Sequence, residues 1–191
     1  MKILLASQSP RRRQLLAELG YPVDYITLDV EESVPDGLAA SEVAGYLARL
    51  KASAYPSERL ADGQVLVTAD TVVVHAGRVL GKPHSRDEAL AMLRSLAGDS
   101  HEVYTGVCLR SRARDTYFTE CTTVHFAPLT EEVLTHYVDT YRPYDKAGAY
   151  GIQEWIGMVG ITAIEGCYYN VVGLPVARLY AELQKMEAAF A

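Results

Sequence analysis

The sequence predicts a mixed α/β fold in which a twisted sheet carries flanking helices, within a single domain over residues 1–191. Strand-like and helix-like patterns alternate at the start of the chain, whereas hairpin patterns occupy its middle, so parallel and antiparallel strands are expected in one sheet. The composition, 49% hydrophobic over 191 residues, supplies a substantial core. Length alone is compatible with one domain or with two closely joined lobes.

The N-terminal half is predicted to alternate strands with helices. Ser9 and Pro10 precede a leucine-rich segment and are typical of the cap and the first position of a helix. Ser41 is the predicted cap of the second helix, and Gly77 can adopt the positive φ of a hairpin turn. The predicted elements are a strand over residues 2–7, a helix over 9–20, a strand over 21–30, a helix over 39–56 and two strand segments within 64–83.

The C-terminal half is predicted to begin with a helix and a long hairpin and to end with another helix. Alternating side-chain character along residues 101–129 indicates the hairpin, with its turn near 112–115. Thr130 precedes two glutamates, which is the pattern of a capped helix start. The predicted elements are a helix over 87–96, the hairpin, a helix over 130–141, a loop or short helical turn over 145–153, a strand over 157–166 and a helix over 175–190.

The overall charge argues against a nucleic-acid-binding protein. The chain has 18 Lys and Arg against 24 Asp and Glu, a net charge of −6, whereas nucleic-acid binding is usually accompanied by a cationic excess. The longest uncharged apolar runs are too short to cross a membrane, and the N-terminus resembles a first strand rather than a secretory signal. We therefore expect neither nucleic acid nor a membrane as a partner.

The cysteines indicate a reducing compartment. Cys108, Cys121 and Cys167 are odd in number, widely separated and not arranged as metal-ligand pairs, so the cytoplasm is the expected location. We expect all three to be small buried hydrophobic side chains.

Three adjacent arginines, Arg11, Arg12 and Arg13, lie at the start of the first predicted helix, where the helix dipole disfavours cations. The hydroxyls of Ser7 and Ser9 and several backbone N–H groups are expected at the same junction. Guanidinium groups bind phosphate oxygens in a bidentate manner. Two interpretations therefore stay open: a site for a polyanion, or weak surface ion pairs made by Arg12 and Arg13.

Asp70 interrupts an apolar, β-branched run in the segment VLVTADTVVV. Burial of a carboxylate is unfavourable unless it is paired, hydrogen-bonded or bound to a metal. The alternative is a strand end or bulge that leaves Asp70 in solvent. The apolar residues on both sides favour a functional role.

Two lysines and an acidic pair are further candidates. Lys82 lies between a glycine and a proline, a loop geometry that could direct its ammonium at a fixed target, although most such lysines are solvated. Lys51 lies at the end of a predicted helix, where a cation also interacts favourably with the helix dipole. Glu31 and Glu32 follow a predicted strand and are either a solvated pair or the source of a metal-binding carboxylate.

The segment DKAGAYGIQ places small residues beside Lys146 and Gln153. Small residues permit close approach of a ligand, and the amide of a glutamine offers both a donor and an acceptor to the edge of a base. The alternative is a tight loop packed on a sheet. Together, the cations, the carboxylate and the amide favour a nucleotide polyphosphate with a divalent cation as the ligand.

Five motifs occur in an order that resembles the Maf family of nucleoside triphosphate pyrophosphatases. They are ASQSPRRRQLL, TADTVV, GKP, KAGAYGIQ and YNVVGLP, and the resemblance covers nearly the whole chain. It implies an α/β fold of two lobes around a deep cleft, shared with the inosine-triphosphate pyrophosphatases (Ham1). It also implies hydrolysis of a nucleoside triphosphate to the monophosphate and diphosphate with Mg²⁺ or Mn²⁺, a house-cleaning role that is linked to arrest of cell division.

The resemblance also implies roles for individual residues. Asp70 resembles the family's proton acceptor, and Asp70 and Glu32 match positions that are expected to contact the metal. The implied substrate-binding residues are Ser7, Ser9, Arg12, Arg13, Lys51 and Lys82. Lys146 of the DKAGAYGIQ segment is a further substrate-binding candidate. Arg11, Thr71 and Gln153 match the branch of the family that acts on dTTP and UTP.

Two alternative functions stay open. The branch of the family that acts on 7-methyl-GTP tends to carry a bulky aromatic, a Gln and a Glu at the positions of Arg11, Thr71 and Gln153. A non-catalytic regulator of septum formation would bind the nucleotide without turnover. In each case the expected partner is a nucleoside triphosphate, and modified pyrimidine nucleotides are included. A homodimer is a possible assembly.

Overall fold

The computed structural model describes residues 1–188 and contains a seven-stranded sheet with flanking helices. The strands are β1 (Lys2–Ala6), β2 (Val23–Ile26), β3 (Gln64–His75), β4 (Arg78–Leu80), β5 (Ser100–Arg110), β6 (Asp115–Phe126) and β7 (Ile161–Glu165). Their order is β2-β1-β3-β5-β6-β7, with β4 paired to β3. Strand β1 is parallel to β2 and β3, whereas β3–β4 and β6–β7 are antiparallel. This mixture confirms the predicted fold class.

Five of the helices described in residues 1–188 begin and end close to predicted ones, whereas α5 and α6 were not predicted as helices. They are α1 (Pro10–Ala17), α2 (Ala40–Ser53), α3 (Arg86–Leu96), α4 (Glu131–Tyr141), α5 (Trp155–Gly160), α6 (Tyr168–Val172) and α7 (Val176–Ala188), with 3₁₀ turns at Ser57–Arg59 and Ala147–Ala149. The last residues of the helix predicted over 175–190 lie outside the described residues. Within residues 1–188, no helix is long and apolar enough to cross a membrane.

The helix caps follow the sequence pattern with one exception. Thr130 Oγ1 accepts a hydrogen bond from Val133 N at the start of α4, as predicted. The prediction of Ser41 as the cap of α2 is wrong, because Ala39 occupies that position and its methyl group accepts no hydrogen bond. The helix starts earlier because Glu42 N already donates to Ala39 O at 2.8 Å.

The two hairpin turns are built as the sequence suggests. Ala76 and Gly77 link β3 to β4 with φ angles of 49° and 73°, the left-handed pair that a tight hairpin requires. Residues 111–114 link β5 to β6, and Ser111 N donates to Arg114 O at 2.9 Å to close the turn.

Two predicted strands are shorter than expected. Strand β2 stops at Ile26 because its partner β1 stops at Ala6, the residue opposite. The strand predicted over 157–166 is wrong in its first part, which forms α5. Ile156 and Gly160, four residues apart, are both buried in that helix, and a short apolar run fits either a helix or a strand until packing decides.

The cysteines differ from the expectation of general burial. Cys108 is buried, Cys167 is half-buried and Cys121 is exposed. Side chains alternate between the two faces of strand β6, and its neighbour Thr122 occupies the buried face. Cys121 therefore points away from the core.

The chain divides into two compact units. The first unit comprises Met1–Asp70, Thr105–Glu120 and the described residues from Gly173 onward, and the second comprises Thr71–Tyr104 and Cys121–Val172. In the first unit, one apolar core includes Ile3, Leu5 and Leu16, and a smaller one includes Leu60. In the second unit, the core is built around residues such as Tyr137. One domain over residues 1–191 stays our prediction.

Candidate active site

The junction between β1 and α1 is shaped by two serines. Ser9 Oγ accepts a hydrogen bond from Arg12 N at 3.4 Å, and Ser7 Oγ accepts one from Ser9 N at 3.2 Å. With Pro10 at the first helical position, this is the predicted N-cap. The serines therefore fix the backbone from which the arginines project.

Backbone carbonyls orient two of the three arginines. Arg12 Nε donates to Gly173 O at 2.8 Å, and Arg13 Nε donates to Ser7 O at 2.9 Å. The Arg13 guanidinium also lies 5.2 Å from the centre of the Tyr25 ring. These contacts fix the direction of two guanidinium groups at the helix start, which long surface side chains rarely achieve alone.

Arg12 carries its charge in a partly dehydrated position. Burial lowers its pKa, and Arg11 acts in the same direction, whereas Asp70 and Glu32 raise the pKa but do not offset burial. An arginine remains protonated at neutral pH in spite of such a shift. A further anion at this position would therefore be bound favourably.

Close packing of helix α2 on the sheet sets the position of Lys51. A side chain at Gly106 in β5 would lie 2.3 Å from Ala44 O, so only glycine permits this approach of helix and strand. Thr68 Oγ1 in β3 donates to Ala48 O at 2.7 Å. Lys51 lies three residues after Ala48, and Asp70 lies two residues after Thr68, so each faces the other element.

Lys51 joins two carboxylates. Its Nζ lies 2.6 Å from Asp70 Oδ1 and 2.9 Å from Glu32 Oε1. The Asp70 and Lys51 side chains are only 13% and 17% exposed, whereas Glu32 is 49% exposed. Asp70 is thus a paired, partly buried carboxylate in the middle of β3, and the alternative of a solvated strand end is wrong.

The carboxylates near Lys51 fit a hard cation such as Mg²⁺ only if substrate phosphates supply further oxygen ligands. Among residues 1–188, no group of three or more His, Cys, Asp and Glu side chains is arranged to hold a metal. Glu32 and Asp70 supply two carboxylates around one point, the ammonium of Lys51. Mg²⁺ is commonly bound by one or two carboxylates together with substrate phosphates and water, so these residues fit such an ion.

In the second unit, Lys82 lies in an exposed loop after β4. The preceding residue, Gly81, accepts a hydrogen bond from Gly148 N at 3.0 Å. Gly148 has a φ of 69°, and a side chain there would lie 3.0 Å from Val73. The loop of Lys82 is thus attached to the small-residue turn of the KAGAYGIQ motif.

Lys146 contacts two carboxylates and is almost fully buried. Its Nζ lies 2.7 Å from Asp145 Oδ1 and 3.0 Å from Glu154 Oε1. The other oxygen of Glu154 accepts a hydrogen bond from Tyr137 Oη. Glu154 and Tyr137 are not recognisable from the sequence as partners in this contact, since no local pattern indicates that a tyrosine of α4 reaches this loop.

Gln153 is exposed and borders a cavity of about 460 Å³ in the second unit. Its apolar lining includes Ile152, Met158 and Tyr168. Of the other two specificity candidates, Arg11 lies in the first turn of α1, and Thr71 follows Asp70 in β3. The structure thus brings Arg12, Glu32, Lys51 and Asp70 together, and it places Lys146 and Gln153 on one short segment.

Comparison with known proteins agrees with the order of the sequence motifs. The family model described as Maf-like protein matches residues 2–186. A dTTP/UTP pyrophosphatase of Bacteroides fragilis is 52% identical over 188 residues, which cover 97% of this chain and 96% of that protein. A dTTP/UTP pyrophosphatase of Porphyromonas gingivalis is 50% identical over 185 residues, which cover 96% and 93% of the two chains.

A solved structure shares the fold. The Ham1 protein of Staphylococcus aureus superimposes with a TM-score of 0.57 at 14% identity, over 97% of this chain and 100% of that one. At this identity the likeness concerns the architecture alone, and it agrees with the predicted Ham1-like fold.

Proposed function

Because the chain belongs to the Maf-like protein family, we propose that it hydrolyses dTTP and UTP to the nucleoside monophosphate and diphosphate. The observation that carries this proposal is the identity of 52% with a dTTP/UTP pyrophosphatase over 97% of the chain. The cluster of Arg12, Glu32, Lys51 and Asp70 supports it, since it combines cations for phosphate oxygens with carboxylates for a metal and a proton.

The first unit binds the polyphosphate in this proposal. Arg12 and Arg13 project from the start of α1, and carbonyls that accept from their Nε groups fix the direction of both side chains. The planar guanidinium group matches the oxygens of a phosphate. Ser7 and Ser9 hold the backbone of the same junction. Lys51 stabilises the negative oxygens as charge shifts towards the departing diphosphate.

Asp70 is the proposed proton acceptor. Lys51 holds Oδ1 of its carboxylate at 2.6 Å, and the second oxygen takes the proton from a water that attacks the α-phosphorus. The new bond joins the water oxygen to the α-phosphorus, and the bond that breaks joins this phosphorus to the oxygen bridging it to the β-phosphorus. Diphosphate then leaves in line with the attack.

Glu32 and Asp70 are the proposed ligands of Mg²⁺ or Mn²⁺. When bound, the divalent cation neutralises phosphate charge at the reacting group. Lys51 contacts both carboxylates, so it keeps them close together before the substrate and cation arrive.

The choice of the base is assigned to three residues of the chain. Arg11, Thr71 and Gln153 are the proposed specificity residues, and the Gln153 amide pairs with the edge that uracil and thymine share. Lys82 is a further proposed contact to the phosphates. Lys146 is proposed to act on substrate binding through the segment that it anchors, since its ammonium contacts Asp145 and Glu154.

The proposed biological role is removal of canonical or modified pyrimidine triphosphates in the cytoplasm, with an effect on septum formation as a consequence. Neither nucleic acid nor a membrane takes part in it.

A substrate panel tests the function. Purified protein with Mg²⁺ is given dTTP, UTP, CTP or 7-methyl-GTP, and released diphosphate and monophosphate are measured. We expect dTTP and UTP to have the highest kcat/KM. A preference for 7-methyl-GTP would assign the chain to the branch of the family that acts on that nucleotide. Tight nucleotide binding without diphosphate release would indicate a non-catalytic regulator.

A further inference from the structure

A salt bridge joins the two ends of the segment that carries Gln153. Lys146 lies at its start and Glu154 at its end, and Lys146 Nζ lies 3.0 Å from Glu154 Oε1. The Lys146 side chain is only 10% exposed and Glu154 is 20% exposed, so solvent screens this pair less than a surface ion pair. Residues 147–153 therefore form a loop closed by a partly buried salt bridge.

The fully buried Tyr137 is hydrogen-bonded to the middle of this loop. Tyr137 Oη accepts a hydrogen bond from Gly151 N at 3.0 Å and donates one to the carboxylate of Glu154. Burial raises the pKa of Tyr137, and the hydrogen bond to Glu154 raises it further, so the hydroxyl remains a donor. The ring also stacks on Tyr141, with centroids 5.1 Å apart.

The side chains around Gly151 are in close contact. A Cβ atom at this glycine would lie 2.9 Å from Gln153 Nε2, 3.0 Å from Glu154 Cδ and 3.1 Å from Lys146 Cε. The Gln153 amide therefore packs back on Gly151, the residue whose N–H is held by Tyr137. The hydroxyl of Tyr137 and the Gln153 amide therefore both contact one glycine.

We infer that Tyr137 and Glu154 are positioning residues that set the orientation of the Gln153 amide. This inference rests on the proposed function, in which Gln153 pairs with the base. An amide discriminates between bases only when its donor and its acceptor are held in a fixed direction, because a rotating amide presents either group to either base. Neither positioning residue needs to touch the substrate.

The first experiment measures the loop without any substrate. Amide hydrogen exchange of residues 147–153 is compared between wild type, Tyr137→Phe and Glu154→Gln. Tyr117→Phe and Glu58→Gln are matched controls, since both residues are exposed and lie in the first unit. We expect at least about tenfold faster exchange at Gly151 in Tyr137→Phe, because the buried N–H loses its acceptor, and no change in the controls.

The second experiment measures base choice. The ratio of kcat/KM for UTP to that for CTP is determined for the same proteins, with thermal unfolding as a measure of the fold. We expect the ratio to fall at least about fivefold in Tyr137→Phe through a higher KM for UTP, with kcat on UTP within about twofold of wild type. Glu154→Gln changes the ratio in the same direction by less, since its amide keeps one acceptor oxygen for two donors.

The outcomes separate the inference from the proposed function. Unchanged exchange at Gly151, or an unchanged UTP to CTP ratio in an active enzyme, overturns the inference and leaves the function intact. An equal loss of activity on all substrates, together with a lower Tm, shows a structural role only and also overturns it. Wild-type protein that releases no diphosphate overturns the proposed function and the inference with it. If Tyr137→Phe does not fold, Glu154→Gln decides by the same criteria.

Discussion

The ammonium of Lys51 lies 2.6 Å from Oδ1 of Asp70, although the two residues are 19 positions apart and belong to different elements. The contact exists because Gly106 lets α2 approach the sheet and because Thr68 bonds to the backbone of that helix. It holds a carboxylate at a fixed place in an otherwise apolar strand. The proposed role of Asp70 therefore depends on the packing of α2 against the sheet.

Replacement of Asp70 by asparagine removes the proposed proton acceptor and preserves its shape. We expect kcat for UTP to fall at least about a hundredfold, the lower range for loss of a general base. The fold should survive, as judged by circular dichroism, since an amide oxygen can still accept a hydrogen bond from Lys51. Asp62→Asn is the control, because Asp62 has a 93% exposed side chain. Retention of most activity by Asp70→Asn would exclude this role.

Removal of divalent cations tests the role of the two carboxylates. We expect no turnover in excess EDTA and recovery with Mg²⁺ or Mn²⁺, since carboxylate and phosphate oxygens bind hard cations. Glu32→Gln should raise the Mg²⁺ concentration needed for half-maximal activity at least about fivefold, whereas Glu58→Gln should not change it. Full activity after rigorous chelation would show that the proposed metal site is wrong.

The sequence predicts local features of this fold better than contacts between distant elements. The cap at Ser9 and the turn at Gly77 depend on the backbone chemistry of a few adjacent residues, and both were predictable. Helix α5 was not predictable from the sequence, since the structure of an apolar run of five or six residues is decided by the core against which it packs.

The same distinction applies to the candidate site. Asp70 is recognisable because a carboxylate interrupts an apolar strand, but the position of Lys51 beside it depends on the packing of α2. Likewise, the sequence predicts Lys146 as a substrate-binding cation, whereas its two carboxylate contacts depend on the course of the loop.

Replacement of Gln153 by glutamate tests base recognition. A carboxylate only accepts hydrogen bonds, so it cannot pair with both the O4 and the N3–H of uracil. We expect kcat/KM for UTP and dTTP to fall at least about tenfold, the range for an unpaired polar group in a binding site. Triphosphate binding, measured as inhibition by inorganic triphosphate, should be unchanged. If wild type and Gln153→Glu had equal activities on dTTP, UTP, CTP and 7-methyl-GTP, the assignment of Gln153 to base recognition would be contradicted.

Gly151 is expected to tolerate no side chain. Gly151→Ala would place a methyl group about 3 Å from the Gln153 amide, the Glu154 carboxyl carbon and the Lys146 stem. Since these groups must move apart, we expect a lower free energy of unfolding, by about 1 to 3 kcal/mol, and weaker discrimination between UTP and CTP. Gly81→Ala is the control, because nothing lies within 4 Å of an added Cβ there. Similar stability of both variants would show that the loop is loosely packed.

His101 is an ionisable group buried in the second unit. It is 2% exposed, Nε2 lies 2.7 Å from Tyr150 Oη, and Nδ1 has no hydrogen-bond partner within the described residues. Its pKa is lowered from 6.5 to about 4, chiefly by burial; His75 and His125 act in the same direction, and Asp99 acts in the opposite one. The native state therefore favours the neutral imidazole.

The last prediction follows from this shift. The pKa of His101 is lower in the folded than in the unfolded chain, so the unfolded chain binds the proton first as the pH falls. The free energy of unfolding therefore has its full value above about pH 6.5 and declines as the pH falls towards 4. Urea unfolding of wild type and His101→Gln at pH 7 and pH 4.5 measures this. We expect the stability of wild type relative to the variant to decline by about 2 to 3 kcal/mol over this interval, whereas the exposed control His84→Gln should follow wild type. Parallel pH profiles of wild type and His101→Gln would show that His101 accepts its proton in the folded protein as readily as in the unfolded chain.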